Sequence, residues 1–183
     1  MKEQFKKTKV DVFDYSKEIF TALKSGILVT TKADDKVDSM AISYGTLGSE
    51  WEKKIFTVFI RNGRFTYEQL EKNPEFTVNI PLGNFNKKII GLCGSKSGRN
   101  MDKAVELGFN LVDSEIVSVP GIAELPLTLE CRVIYRQLQD KNAIPEEILQ
   151  KEYPQDVDSS FPFANRDFHE MFYGEIVNAY VIS

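Results

Sequence analysis

Histidine, tryptophan and cysteine are scarce in this 183-residue chain, which has one, one and two of them respectively. A lone His169 excludes a multi-histidine metal site. Cys93 and Cys131, far apart and in no CxxC pair, offer no zinc cluster. That cysteine usage suits reduced thiols in a cytosolic protein better than a disulfide framework. No apolar run approaches the roughly 18 residues of a membrane span. The N-terminal "MKEQFKKTKVDVFDYSK" is charged without an apolar segment, unlike a signal peptide. Excess positive charge is also missing: the net charge of -4 weighs against nucleic acid or an anionic membrane as the main partner. A soluble, cytoplasmic protein is therefore expected.

What is present is a hydrophobic fraction of 42%, enough for a core without covalent staples. Strands are predicted over 26–32, 39–47, 54–60, 75–80 (ended by Pro81), 126–139 and 174–182, separated by turn-like polar stretches. Over 126–139, Leu129, Cys131, Val133 and Tyr135 should face one side, and Thr128, Glu130, Arg132 and Arg136 the other. Such spacing predicts a mainly β protein with short helices, an antiparallel barrel rather than a parallel sheet. Asp14 is the expected cap of a helix that stops near Gly26, and Thr66 with Gln69 reads as a capping box. Residues 85–94 and 101–108 are further helical candidates. With no repeat or linker, the chain reads as one domain, 1–183, with a surface excursion around 140–168 marked by Pro145, Pro154 and Pro162.

Charge is unevenly spread. From Arg61 to Lys103 there are eight Lys/Arg against four Asp/Glu, a local +4 that leaves -8 for the remainder. Within that window "RNGRFTYEQLEKN" places Arg61 and Arg64 just before a helix start, whose free N–H groups and dipole attract an anion. "CGSKSGRNMDK" is a second small-residue loop with basic side chains, and two such loops suggest a phosphate clamp. Exposed basic residues are more often only a solvated face, and neither loop is a GxGxxG fingerprint or a P-loop. Any nucleotide site therefore belongs to a different fold.

The ordered segments "MAISYGTLGSEW", "FIRNGRFTYEQLEKNPEFTVNI", "GLCGSKSGRNMDK" and "HEMFYGEIVNAYV" resemble the flavin reductase-like, flavoredoxin-type family of FMN-binding split barrels, over most of residues 15–182. The resemblance implies a six-stranded antiparallel split β-barrel that dimerises, with FMN near the subunit interface and electrons passing through the flavin. It implies that Ser43, Tyr44 and Gly45 lie beside the isoalloxazine. Arg61, Arg64 and Thr66 would bind the phosphate with Tyr67 nearby, while Cys93, Gly94, Ser97 and Lys103 close over the cofactor. Two positions depart from the family pattern: Tyr44 where tryptophan is frequent, and Asn62 where proline is. Tyrosine still stacks on a flavin edge, and Asn-Gly still turns the chain.

Weaker candidates remain. His169 is a potential proton donor, although a lone histidine is more often structural. Cys93 is a potential redox thiol, more simply a small residue beside the cofactor. Trp51 is expected over the barrel mouth, and Glu175 with Arg166 as an ordinary ion pair. The leading expectation is an FMN-dependent oxidoreductase, a homodimer taking electrons from NAD(P)H or a redox protein. The alternatives are an FMN-holding electron carrier without NAD(P)H activity, and a non-catalytic module for a phosphorylated ligand.

Overall fold

In a computed structural model of the chain, residues 5–158 and 165–183 are described. The expected ends of the excursion are included, but its middle, with Pro162, lies outside the described residues. The strands are β1 (Lys7–Lys9), β2 (Ile27–Ala33), β3 (Lys36–Ile42), β4 (Gly45–Glu50), β5 (Lys53–Arg61), β6 (Glu75–Ile80), β7 (Leu111–Val112), β8 (Gly121–Ile122), β9 (Leu127–Leu138) and β10 (His169–Ile182). The helices are α1 (Ser16–Leu23), α2 (Phe65–Lys72), α3 (Lys88–Ser95), α4 (Lys103–Leu107) and α5 (Glu146–Glu152).

The main sheet is wholly antiparallel and runs β3-β2-β6-β9-β10-β5-β4, with β1 added on β10. β3 and β4 end the path, and only Ser43 and Tyr44 join them in sequence. The expected split barrel is therefore open between these two strands. Eight strands make the sheet where six were implied. The apolar run 39–47, expected as one strand, is broken at its middle, and β10 begins five residues earlier than expected. Gly45 explains the turn into β4: a Cβ there would lie 3.1 Å from the Phe56 ring and 3.3 Å from the Thr57 carbonyl. The two-residue turns Asp34–Asp35 and Trp51–Glu52 all take positive φ, matching the right-handed twist of the hairpins they close.

Alternate residues of β5 (Phe56, Val58, Ile60) and β6 (Phe76, Val78, Ile80) meet Leu127, Leu129 and Phe172 in the core, with Ile19 and Leu23 of α1 and Leu70 of α2 closing it. The alternation expected along β9 holds as far as Val133. There the register with β10 shifts, pairing Val133 with Gly174 but Tyr135 with Tyr173. The extra residue turns Tyr135 to the outer face, where it meets Tyr173 and Trp51 edge-on. Trp51 itself sits at the β4–β5 hairpin tip, 57% exposed.

Two expected caps are also corrected. Asp11, not Asp14, caps the 3-10 turn Val12–Tyr15 that precedes α1. Arg64 is the N-cap of α2 and no side chain caps that helix. Thr66 lies inside the first turn, and Gln69 turns inward to Thr31 and to the Lys36 carbonyl, 2.8 Å away. Burial of Gln69 against β2 and β3 outweighs the reciprocal cap that its spacing permits.

Candidate functional site

Breaking the chain at Ser43–Tyr44 opens a cleft beside the end of β5 and the start of β10. Register pairs Arg61 with His169 at this point, so both side chains share the outer face with Phe59. A narrow cleft of about 240 Å³ is lined by Met40 to Tyr44, Phe59, Arg61, Arg64, Glu152, Asn165 and His169. A wider one of about 630 Å³ shares Tyr44, Phe59, Glu152 and His169 with it and extends to Gln139, Glu147, Ile148, Lys151 and Tyr153. Ser43, Tyr44, Arg61, Arg64 and His169, taken from three separate motifs, are thus brought together.

The two arginines differ in what they have left to give. Arg61 is 7% exposed. Its guanidinium donates to the Asn165 and Glu152 carbonyls at 2.8 Å each and also to the Asp167 carbonyl. Its plane covers the Tyr153 ring at 4.7 Å, and the Asp167 carboxylate is 3.8 Å away. Burial lowers its pKa, partly opposed by Asp167. Arg61 therefore ties both stems of the excursion to the sheet, with three of its five N–H donors on backbone carbonyls. Arg64 is exposed and donates to Asn165 Oδ1 at 2.7 Å, its one side-chain hydrogen bond among the described residues. It stands at the start of α2, where no side chain among the described residues caps the helix.

Other expected contacts are placed elsewhere. Gly45 packs on Phe56 beside the cleft. Thr66 is buried in α2. Tyr67 donates to Glu170 Oε2 at 2.8 Å; Glu170 follows His169 in β10 and so projects to the opposite face. Lys103 is 2% exposed, with Nζ 3.1 Å from Asp38 Oδ1 and 2.7 Å from the Ser39 carbonyl. Burial raises the Asp38 carboxyl although Lys103 opposes it. Gly98 permits this clasp, since a Cβ there would stand 2.3 Å from the Asp38 carboxylate. Cys93 is buried with Leu28, Ile89, Ile122 and Leu125, and burial pushes its thiol up to about 11, so it is not a thiolate at neutral pH. Gly94 is exposed, with room for a Cβ that would stand 3.5 Å from Ala41, and Ser97 is exposed too, its Oγ accepting from the Arg99 N–H. Cys93, Gly94, Ser97 and Lys103 are not among the residues lining these two clefts.

One residue of that loop does reach forward. Arg99 pairs with Glu68 and donates to the Gly63 carbonyl at 3.2 Å, linking the two basic loops. Sequence reasoning also missed Phe59, Gln139, Glu152, Tyr153 and Asn165. Phe59 carried a period-2 signal in its strand; the others lie in or beside the excursion, where no local pattern points inward. His169 Nδ1 is 2.7 Å from the Tyr153 hydroxyl, and the Tyr44 ring meets the imidazole edge-on at 6.4 Å. Burial, then the Arg61 charge, lowers the His169 pKa to about 4, so the ring is neutral at pH 7. The expected Arg166–Glu175 pair does not form: Glu175 pairs with Lys53 at 2.6 Å, and Arg166 donates to the Val157 carbonyl.

Among the described residues no group of His, Cys, Asp and Glu is suited to a metal. No described helix is long and apolar enough to cross a membrane. The donor set fits an anionic, planar ligand instead: Arg64 and the α2 N–H groups at one end, Tyr44, Phe59 and His169 as an aromatic wall.

The family model for the flavin reductase like domain matches residues 23–183. An "Uncharacterized protein" of Archaeoglobus fulgidus is 33% identical over 81 residues, which is 44% of this chain and 45% of that relative's length. The match therefore spans less than half of that curated relative. Among solved structures, flavoredoxin from Methanosarcina acetivorans superposes with a TM-score of 0.61 at 25% identity, over 85% of this chain and 67% of its own. Flavoredoxin of Desulfovibrio vulgaris gives 0.62 at 22% identity, over 85% and 68%. Component B of nitrilotriacetate monooxygenase from Bacillus cereus gives 0.64 at 14%, over 95% and 81%. The last two speak to the fold alone.

Proposed function

Because the chain belongs to the flavin reductase-like family, we propose that it holds FMN in the cleft between the β3–β4 break and the start of β10 and passes electrons through it. The observation that carries this reading is the junction of an exposed Arg64, at a helix start with no side-chain cap among the described residues, with the wall of Tyr44, Phe59 and His169. Arg64 and the first-turn N–H groups of α2 would hold the phosphate. Tyr44 and Phe59 offer aromatic surface to the ring, and Ser43 a hydroxyl beside it. The flavin, when bound, supplies the redox chemistry; the protein supplies binding, water exclusion and a positive field. Charge-assisted hydrogen bonds are worth about 1.5–3 kcal/mol each, so riboflavin should bind at least roughly tenfold more weakly than FMN. Equal titration curves for the two would sink the phosphate assignment.

A second reading is favoured by the charges of the wider cleft, which are Glu147, Glu152 and a single Lys151 whose Nζ is 3.4 Å from Glu152. Such a lining repels the phosphates of a nicotinamide dinucleotide and suits an FMN-holding carrier served by another donor. Steady-state oxidation of NADH and NADPH separates the carrier from the reductase. We read residues 1–183 as one domain that works as a homodimer. Tyr44, Trp51 and Tyr135, all at least 40% exposed, stand with Met171 and Tyr173 on one outer sheet face that a second copy would cover.

A further inference from the structure

We propose that Tyr153 and Gln139 fix the tautomer of His169, so that its Nε2 faces the cleft as a bare acceptor for a ligand N–H or O–H group. The Tyr153 hydroxyl has one proton and two neighbours: Gln139 Oε1 at 2.8 Å and His169 Nδ1 at 2.7 Å. An amide oxygen only accepts, so the tyrosine proton goes to Gln139. The hydroxyl oxygen then accepts from Nδ1–H, and the imidazole proton is held on Nδ1, leaving Nε2 without one. Tyr153 is well placed for this. It is 6% exposed, stacked on Phe168 at 4.7 Å with 14° between the rings, and covered by the Arg61 guanidinium at 4.7 Å on its ring. Gln139 is itself anchored, its backbone N–H donating to the His169 carbonyl at 3.0 Å. The neutral state of the ring agrees with its surroundings: Arg61 and Arg64 oppose a positive imidazole, while Asp167 and Glu152 favour it less strongly than burial and Arg61 resist it. Tyr153 and Gln139 are thus positioning residues that act through His169.

Because the chain has a single histidine, the test is direct. Protein labelled with ¹⁵N-histidine gives one imidazole spin system, and its two nitrogen shifts report the tautomer without any ligand. The expected wild-type result at pH 7 is a protonated Nδ1 and an unprotonated Nε2. Gln139→Leu removes the amide acceptor, so the Tyr153 proton turns to Nδ1 and the imidazole proton moves to Nε2. Tyr153→Phe should leave Nδ1 without its acceptor and give a mixture. A wild-type ring protonated on Nε2, a doubly protonated ring, or a Gln139→Leu spectrum unchanged from wild type overturns the proposal. Both variants are first checked for native unfolding cooperativity, and Gln139→Glu, which restores an acceptor, should restore the wild-type tautomer. Failure to do so also overturns the assignment. The ligand half rests on the flavin reading and is judged separately with FMN as the probe. A shift confined to Nε2 is expected on saturation; bound FMN that leaves Nε2 unmoved refutes that half. Absence of FMN binding refutes the flavin reading while the ligand-free tautomer still decides the relay.

Discussion

Arg61→Ala should loosen the excursion far more than it weakens any direct ligand contact. Three backbone carbonyls, of Glu152, Asn165 and Asp167, share its guanidinium. At about 1.5–3 kcal/mol per charge-assisted bond, the gross loss would be ~4.5–9 kcal/mol. Much of that returns. The burial that lowers the arginine pKa is a cost removed with the side chain, and the released carbonyls regain water. A net effect of ~2–4 kcal/mol remains, on the scale measured for breaking buried charged networks. It should appear as local opening, because the acceptors all lie on the two stems of the excursion while the barrel core keeps its apolar contacts. At ~3 kcal/mol, cleavage within 140–168 under limited proteolysis should accelerate roughly a hundredfold, with a smaller change in the urea midpoint of the whole chain. Arg61→Lys should recover little, since a point charge cannot span three carbonyls. An Arg61→Ala protein as protease-resistant as wild type, yet unable to bind FMN, would refute the strut and return Arg61 to the phosphate.

Arg64→Ala should leave stability within about 0.5 kcal/mol and weaken FMN at least roughly tenfold, whereas Lys72→Ala, which loses an exposed pair with Asp34, should leave FMN titrations unchanged; equal losses would reduce the site to diffuse charge. Lys103→Met strands a buried Asp38 carboxylate and should cost ~3–5 kcal/mol by urea unfolding, with part recovered in the Asp38→Asn/Lys103→Met double variant; an unchanged midpoint with lost FMN binding would give the amine to the phosphate instead. His169 makes stability pH-dependent. Its folded pKa of about 4 lies below the ordinary 6.5, so between these values the unfolded chain binds more protons, and stability present above 6.5 is lost as pH falls toward 4. His169→Gln should remove that segment of the pH profile, and an identical profile in both proteins would contradict it. Sedimentation should show a dimer that FMN strengthens, by about 2.7 kcal/mol at 100 times its dissociation constant if only the dimer binds; a monomer retaining flavin on dilution would place the site within one chain.

Sequence by itself determined most local elements and pointed to the kind of ligand proposed. Apolar, β-branched runs between turn-like stretches gave β2, β5 and β6, and alternation gave much of β9, because strand propensity and burial are written in neighbouring residues. Clustered Lys/Arg before a helix start pointed to the proposed anion-binding end, because dipole and orphan N–H groups follow from the helix alone. Tertiary structure decided how those residues divide their work. Arg61 and Arg64 look alike in "RNGRFT", and only carbonyls from Glu152 to Asp167, about a hundred residues away, make one a buried strut while the other stays exposed with one described side-chain partner. Lys103 reads as a clamp residue until Asp38 of β3 claims it. The strand interruption at Ser43–Tyr44 and the bulge that turns Tyr135 outward depend on strands paired across the sheet. Propensity and periodicity are properties of adjacent residues; the partner of a charge, or the face of a strand after a bulge, is set by chain segments that meet only when the sheet closes around its core.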